Sequence, residues 1–387
     1  MTDIEQTAYE HAFARYVGAS HGFAFWKARV ALYAILRGLG IGEGDEVILP
    51  GYTCVMDVNP IVYLGARPVY VDIDPVTYNL DPALIEATLT ARTKLVIAQH
   101  TYGYPCDMDA ILAIAEAHDV PVIEDCCLTL GSRYKNKPVG SFGVASYYSF
   151  QWNKPYTSGL GGMATTRDPE LAARILAVRD EHAVAPGRVE VAVLACQLAA
   201  YRTLVYPRTT ALAQTIFRWL TKRGAAVGSS STAEYAPNMP DDFLKRMSAL
   251  QASVGLRQLG RLDHYAAHRR SMRQTYDALL DAIDWPRPRV PDHLDCVMVR
   301  YPVRVADKTR ALADAARHFV ELGSWFECPL HPIETPLEDY GYRIGMCPEA
   351  ERASREVVNL PLHPRANVAV ARRTVDFISR IGPARAR

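Results

Sequence analysis

Leu95-Val96-Ile97-Ala98, the run 109–118, and Pro121-Val122-Ile123-Glu124 follow one another between residues 95 and 124. The outer two segments are short and apolar, and the middle one places its apolar groups at helical spacing. A strand, a helix and a second strand in that order predict a crossover unit of parallel sheet. The pattern extends both ways. Glu46-Val47-Ile48-Leu49 and Pro68-Val69-Tyr70-Val71-Asp72-Ile73 predict strands upstream. Residues 145–150 predict another downstream, with Met163-Ala164-Thr165 pairing nearby. Helices are predicted over 5–16, 28–40 and 55–64, the second stopped by Gly38, Gly40, Gly42 and Gly44. Asp81 and Pro82 predict the N-cap and first turn of one more. Strands of this kind alternating with helices make an α/β fold whose mostly parallel sheet is covered on both faces.

At 387 residues the chain is long for one core and comfortable for two domains. Residues 169–182 are predicted helical. Two apolar-rich helical stretches, 189–201 and 209–220, flank Tyr206-Pro207, and a Gly/Ser/Ala-rich loop covers 224–236. A long helical region at 241–285, a strand at 296–305, a helix at 308–322, and a segment 357–362 leading into a final helix at 367–381 predict a smaller α+β unit. The division expected is a large domain, 1–250, carrying a helical insert at 187–223, and a C-terminal domain, 251–387.

Hydrophobic residues make up 49% and charged ones 22%, with a net charge of +1, so nothing points to nucleic acid or an anionic membrane as partner. The longest charge-free apolar run, near residue 200, is about 11 residues against the ~20 a bilayer requires. The N-terminus is polar and acidic rather than a signal peptide. Cysteines at 54, 106, 126, 127, 196, 296, 328 and 347 form no C-x-x-C pair and no zinc spacing. Adjacent Cys126 and Cys127 are poorly placed for a disulfide. All eight are expected as free thiols in a reducing cytosol, with no metal site and a cytoplasmic location.

The chemistry lies in Tyr147-Tyr148-Ser149-Phe150-Gln151-Trp152-Asn153-Lys154, closed by Gly161-Gly162, downstream of the strand ending Glu124-Asp125. A lone lysine after a strand is ordinarily a solvated charge; the company it keeps here gives it a role. Lys154 offers the primary amine that forms a Schiff base with an aldehyde. Ser149, five residues earlier, offers a hydroxyl to a phosphate. Asp125 ends a predicted interior strand, at the edge where open α/β sheets place ligands. A carboxylate there keeps a pyridine nitrogen protonated and makes the ring a better electron sink. These are the parts of a pyridoxal 5′-phosphate site. Glu124 faces the other side by alternation and is expected to be structural. Leading amides of the helix at Ala28-Arg29-Val30 complete a phosphate cradle, with Arg29 adding charge. Tyr52 or Cys54 is expected against the cofactor ring. His100, past strand 95–98, is expected at the same edge as a substrate contact. The glycines at 40–44 lack phosphate-loop spacing and predict a tight turn.

As a set these motifs are recognisable. With Gly65-Ala-Arg-Pro-Val-Tyr-Val-Asp, Asn79-Leu-Asp-Pro, His100-Thr-Tyr-Gly, Gly140-Ser-Phe-Gly, Arg246-Met-Ser-Ala-Leu-Gln-Ala and Leu360-Pro-Leu-His, the chain resembles the DegT/DnrJ/EryC1/StrS family of pyridoxal phosphate-dependent sugar aminotransferases. The resemblance implies a type I, aspartate-aminotransferase-like fold with a mostly parallel seven-stranded sheet. It implies a homodimer with active sites at the interface. It also implies amino transfer from glutamate or glutamine to a keto sugar, usually nucleotide-linked, in amino-sugar biosynthesis. Lys154 falls where such aminotransferases have lysine and related dehydratases have histidine. The chain departs from the family pattern at Leu128 (usually Gln or His), Ala28-Arg29 (Gly-Thr), Cys54 (an aromatic), Pro155, Leu160 and Leu244. His182, Arg246 and His331 join His100 as candidate substrate contacts. The apolar replacements keep a second reading open, in which the same cofactor acts on a non-sugar ketone or in elimination. A third is a catalytically silent relative that docks a partner through 187–223.

Overall fold

Eight short segments and the helices between them build the body of the molecule, which a computed structural model describes over residues 2–204 and 232–384. In chain order these are α1 (Thr2–Val17), β1 (His21–Phe25), α2 (Ala28–Gly38), β2 (Glu46–Pro50), β3 (Thr53–Cys54), α3 (Val55–Tyr63), β4 (Arg67–Val71), β5 (Thr93–Gln99), α4 (Met108–Ala117), β6 (Val122–Asp125), β7 (Ala145–Ser149), β8 (Gly162–Thr166), α5 (Pro169–His182) and α6 (Arg188–Leu204). Seven of these strands form one sheet in the order β1-β8-β7-β6-β5-β2-β4. The five from β7 to β4 are parallel, and β8 runs antiparallel to both β7 and β1.

Alternation along the strands sorts the sheet into two faces. Ile97, Ile123, Tyr147 and Ala164 pack in one cluster with the residues of α2 and α3. Val96, Ala98, Val122, Tyr148 and Met163 pack in the other with α1 and α4. Both faces are covered, which is why these strands carry few polar residues.

The sequence assigned no strand to 21–25. His-Gly-Phe-Ala-Phe is weakly β-forming because of Gly22, yet a Cβ at Gly22 would stand 2.8 Å from the Glu10 carbonyl, so only glycine lets α1 lie on this edge. The helix predicted at Asp81 is two 3₁₀ turns instead, Pro82–Leu84 and Glu86–Thr88. Asp81 caps as expected, accepting from Ala83 N, but the Thr88 amide bonds to Ile85 O while its hydroxyl takes Leu84 O. A continuing α-helix would have given that carbonyl to the amide.

The C-terminal part contains α7 (Ala249–Leu259), α8 (Leu262–Asp281), β9 (Arg300–Arg304), α9 (Lys308–Arg317), β10 (Leu330–His331), α10 (Pro348–Glu356), β11 (Val357–Pro361) and α11 (Val368–Ser379). The predicted strand 296–305 narrows to β9, which pairs antiparallel with β11 over a separate apolar cluster. The long helical region divides in two, and α7 starts late, at a Ser248–Gln251 capping box. One short pairing positions the site: β10 lies parallel to β3, with His331 opposite Cys54. The predicted helix 209–220 and most of the loop 224–236 fall outside the described residues. All eight cysteines are free. Among the described residues no helix is long and apolar enough to cross a membrane.

Candidate active site

The site gathers at the C-terminal edge of the parallel strands. β6 and β7 are in register with Asp125 opposite Tyr147, so these two side chains share a face and Glu124 takes the other. Asp125 is only 5% exposed, and its Oδ1 accepts the Cys127 amide at 2.8 Å, which fixes the carboxylate in its own turn. Ser149 ends β7, buried, opposite Gly162 of β8. Lys154 follows in the next turn, its Nζ 5.0 Å from the centre of the Trp325 ring. The charges of Lys154 and Asp125 both act on Asp57 and on Cys127, which places the amine and the carboxylate in one electrostatic neighbourhood.

The start of α2 completes the edge. Lys27, its N-cap, gives no side-chain hydrogen bond to the leading amides. A Cβ on Gly162 would collide with the Lys27 and Ala28 backbone, so glycine here is what brings β8 against the helix start. Arg29 is buried and ion-paired with Glu234 at 2.7 Å, and Lys27 reaches the same carboxylate at 3.1 Å. Burial first, and then the charge of Arg29, pull Lys27 down to about 8. The cationic groups at this helix start are therefore partly matched by Glu234, leaving amides and Ser149 as the neutral donors for an anion.

Asp57 was not anticipated. It lies in the first turn of α3 and accepts from Tyr147 Oη at 3.1 Å and from Thr53 Oγ1 at 3.4 Å. Burial, and next the charge of Asp125, push its carboxyl up to about 8, against the opposing pull of Lys154. A lone acid inside the apolar run Val55-Met56-Asp57-Val58 was the available signal. The raised value means that the folded protein holds a proton here which the unfolded chain has lost above ~4. Stability therefore falls as pH rises through that window, by up to about 1.4 kcal/mol per unit. Asp57→Asn removes the term. In urea titrations of the cofactor-free protein, its advantage over the parent is expected to grow from pH 5 to pH 8. A constant difference across that range would show that Asp57 does not carry the proton.

The remaining expected contacts divide. Tyr52 is fully buried, with Oη 2.7 Å from Tyr102 Oη and accepting the Phe326 amide, so its hydroxyl is committed to core packing. Cys54 does lie in the site: burial, followed by Asp57, raises its thiol to about 11 while Arg29 and Lys154 pull the other way. Leu128 is buried in the turn after β6, its carbonyl against Gly103. His100 is corrected. It stands one residue beyond Gln99, which is level with Asp125, and so falls on the Glu124 face. Its Nε2 lies 3.2 Å from Glu124, and its Nδ1 accepts the Cys106 amide. His100, Glu124 and Cys126 come within 4.8 Å of one another, but Glu124 already accepts the amides of Gly140, Phe142 and Gly143, so the trio is a structural lock. His182 and Arg246 do not join the cluster either. His182 is part-exposed beside Glu181, and Arg246 donates to the carbonyls of Ala183 and Asp180 at 3.0 Å. His331 does come in, its ring 6.3 Å from Trp325. Burial outweighs the pull of Glu327 and, with Arg300, Lys308 and Lys154, holds it below the ordinary histidine range.

Trp325 is the second feature not anticipated, and here no local pattern offered a signal. Its amide donates to Asn359 Oδ1 at 2.9 Å, and its carbonyl accepts from Asn359 Nδ2 at 3.0 Å and from Tyr102 Oη. A ring pinned this way covers Lys154 like a plate. These residues fit pyridoxal 5′-phosphate: an amine, a fixed carboxylate, a buried serine and a helix start cleared by glycine.

Comparison with known proteins gives the family. The family model described as the DegT/DnrJ/EryC1/StrS aminotransferase family matches residues 3–194 and 211–379. The chain is 31% identical over 366 residues to a UDP-2-acetamido-2-deoxy-3-oxo-D-glucuronate aminotransferase of Pseudomonas aeruginosa, covering 94% of this chain and 87% of that protein. Over 173 residues it is 46% identical to a GDP-perosamine synthase of Caulobacter vibrioides, covering 45% of this chain and 47% of that one. The crystal structure of an aminotransferase from Streptoalloteichus hindustanus superimposes with a TM-score of 0.75 at 26% identity, over 97% of this chain and 89% of its own.

Proposed function

The chain belongs to the DegT/DnrJ/EryC1/StrS aminotransferase family, and from that premise we propose that it moves an amino group from glutamate or glutamine to the keto group of a nucleotide-linked sugar. Pyridoxal 5′-phosphate, the cofactor of these aminotransferases, supplies the electron sink when bound. Lys154 holds its aldehyde and, once released by the donor, carries a proton on Nζ as general acid and base. Asp125 holds the ring nitrogen. Ser149 and the leading amides of α2 receive the phosphate, and Trp325 keeps water from the amine. Residues 1–250 supply all of this but Trp325, which comes from 251–387 as that part closes over the site, and two copies of the chain assemble around paired sites.

The observation that carries the reading is the meeting of Lys154, Asp125 and Ser149 on one edge of the sheet. The sugar class is supported by the names of the relatives, a GDP-sugar and a UDP-sugar enzyme. The test supplies L-glutamate or L-glutamine with a panel of GDP- and UDP-linked keto sugars. An aminated sugar nucleotide is expected by mass spectrometry, in step with the 2-oxo acid from the donor. Amination of simple ketones but of none of the sugars would shift the reading to a non-sugar acceptor.

A further inference from the structure

Asp57 meets two hydroxyls and, among the described residues, forms no ion pair. Tyr147 Oη lies 3.1 Å from its Oδ1 and Thr53 Oγ1 lies 3.4 Å from its Oδ2. Thr53 has one proton and a nearer acceptor for it, Gln99 Oε1. The other end of the Gln99 amide fixes its orientation, because Nε2 donates to Tyr52 O at 2.9 Å and to Thr101 Oγ1 at 3.0 Å. An ionised Asp57 takes the Thr53 proton and leaves Gln99 Oε1, on a side chain only 3% exposed, without a donor. A protonated Asp57 donates from Oδ2 to Thr53, which keeps its own proton on Gln99. Every polar group in the chain then has its partner.

The charges facing Asp57 favour the same state. Asp125 ends β6 level with Tyr147 of β7, and the Tyr147 hydroxyl is the one bonded to Asp57, so a single tyrosine spans the two acids. The other groups whose fields meet that of Asp57 are Lys154 after β7, Arg29 at the start of α2, and the thiols of Cys54 and Cys127. Arg29 is already matched by Glu234 at 2.7 Å. Asp125 accepts the Cys127 amide, a bond that favours its ionised form. Two neighbouring carboxyls of which one is held ionised share a proton that stays on the other.

We propose that Asp57 is a second acid of the ring-nitrogen subsite: it carries a proton beside ionised Asp125 until the cofactor enters, and releases that proton to solvent when the protonated ring nitrogen stands against Asp125. This rests on the aminotransferase reading above. The step is a simple ionisation. The O–H bond at Oδ2 breaks, its electron pair stays on the carboxylate, and Thr53 turns its hydroxyl from Gln99 to the new anion. The cause is the cation at Asp125, which cancels the charge that had opposed ionisation. Two carboxylates behind the ring then hold its nitrogen protonated to higher pH than one does, which preserves the electron sink.

The test counts protons. Pyridoxal 5′-phosphate is added to cofactor-free protein in weak buffer with a pH indicator, for the parent and for Asp57→Asn. Protons exchanged by the phosphate and by Lys154 are common to both and cancel in the difference. Near pH 7 the parent is expected to release close to one proton more per site than the variant, on the order of tenfold per pH unit in their relative affinities for the cofactor between pH 6 and 8. Toward pH 9 the two counts should converge, because Asp57 ionises at about 8 in the cofactor-free protein. With ¹⁵N-labelled cofactor, the ring-nitrogen resonance of the loaded parent should keep its protonated position to higher pH than that of Asp57→Asn. Asp57→Glu, which restores an acid, should recover part of the proton release; Asp57→Ser should match the asparagine variant and serves if that one does not fold. Equal proton counts near pH 7 in the parent and a folded variant, with affinities that run parallel in pH, overturn the proposal. If the parent binds no pyridoxal 5′-phosphate at any pH, it is the aminotransferase reading that fails.

Discussion

Lys154→Ala protein, loaded with pyridoxal 5′-phosphate and dialysed, is expected to lose the visible band of lysine-attached cofactor and to transfer amino groups at least roughly a thousandfold more slowly. Two roles disappear together, the attachment point and the proton carrier. Among the described residues, the other lysines near the site are already engaged. Lys308 is committed to three backbone carbonyls and Lys27 to Glu234. The substitution leaves the fold nearly untouched, because what holds residue 154 in its turn is a backbone bond from its amide to Gln151 O. The contact with Trp325 lost from the folded state is worth about 0.5–1 kcal/mol for an accessible cation over a ring. The melting temperature should therefore shift by only a few degrees. Lys154→Arg separates charge from chemistry: it keeps a cation over Trp325 but offers no amine that an aldehyde can trap at neutral pH. It should be as inactive as the alanine variant. A retained band in either protein would mean that another lysine holds the cofactor.

The parts of this site that could be read from the sequence share one property: their placement follows from local geometry. Asp125 ends a strand of four apolar or acidic residues, Ser149 ends the next, and strand alternation alone puts Asp125 and Tyr147 on one face and Glu124 on the other. Where the chain leaves the strand, alternation stops being a guide. Carried one step past β5 it still puts His100 on the Glu124 face, but Tyr52, two past β2, turns into a cluster with Tyr78, Tyr102 and Phe326. Gly22 hid β1 because the residue that permits helix contact also lowers strand propensity. Trp325 and Arg300 were out of reach for a different reason. They lie about 150 or more residues from Lys154, and what brings them near is the pairing of β10 with β3 and of β9 with β11, contacts that no window of local sequence records.

Asp125→Asn tests the other half of the site, and here the size of the effect decides between readings. A carboxylate about 3 Å from a protonated ring nitrogen contributes about 5 kcal/mol at an effective dielectric near 20. Losing the part of that interaction felt as the ring takes up electrons should slow donor conversion by about a hundred- to a thousandfold. The asparagine fits the same space, and its Oδ1 can still accept the Cys127 amide that Asp125 accepts at 2.8 Å, so folding should be preserved. The loss should appear in the single-turnover rate more than in donor KM, because the role proposed for Asp125 is toward the cofactor ring and not toward the donor. A second consequence follows from the neighbour. Asp125 is the largest charge holding the Asp57 carboxyl up, so its neutralisation should let Asp57 ionise at lower pH and flatten the pH-dependent stability difference described for Asp57→Asn. The two effects have a common cause, the negative charge at residue 125, and should therefore occur together. Asp125→Asn enzyme with a full single-turnover rate and an unaltered Asp57 titration would mean that the ring nitrogen rests on some other group.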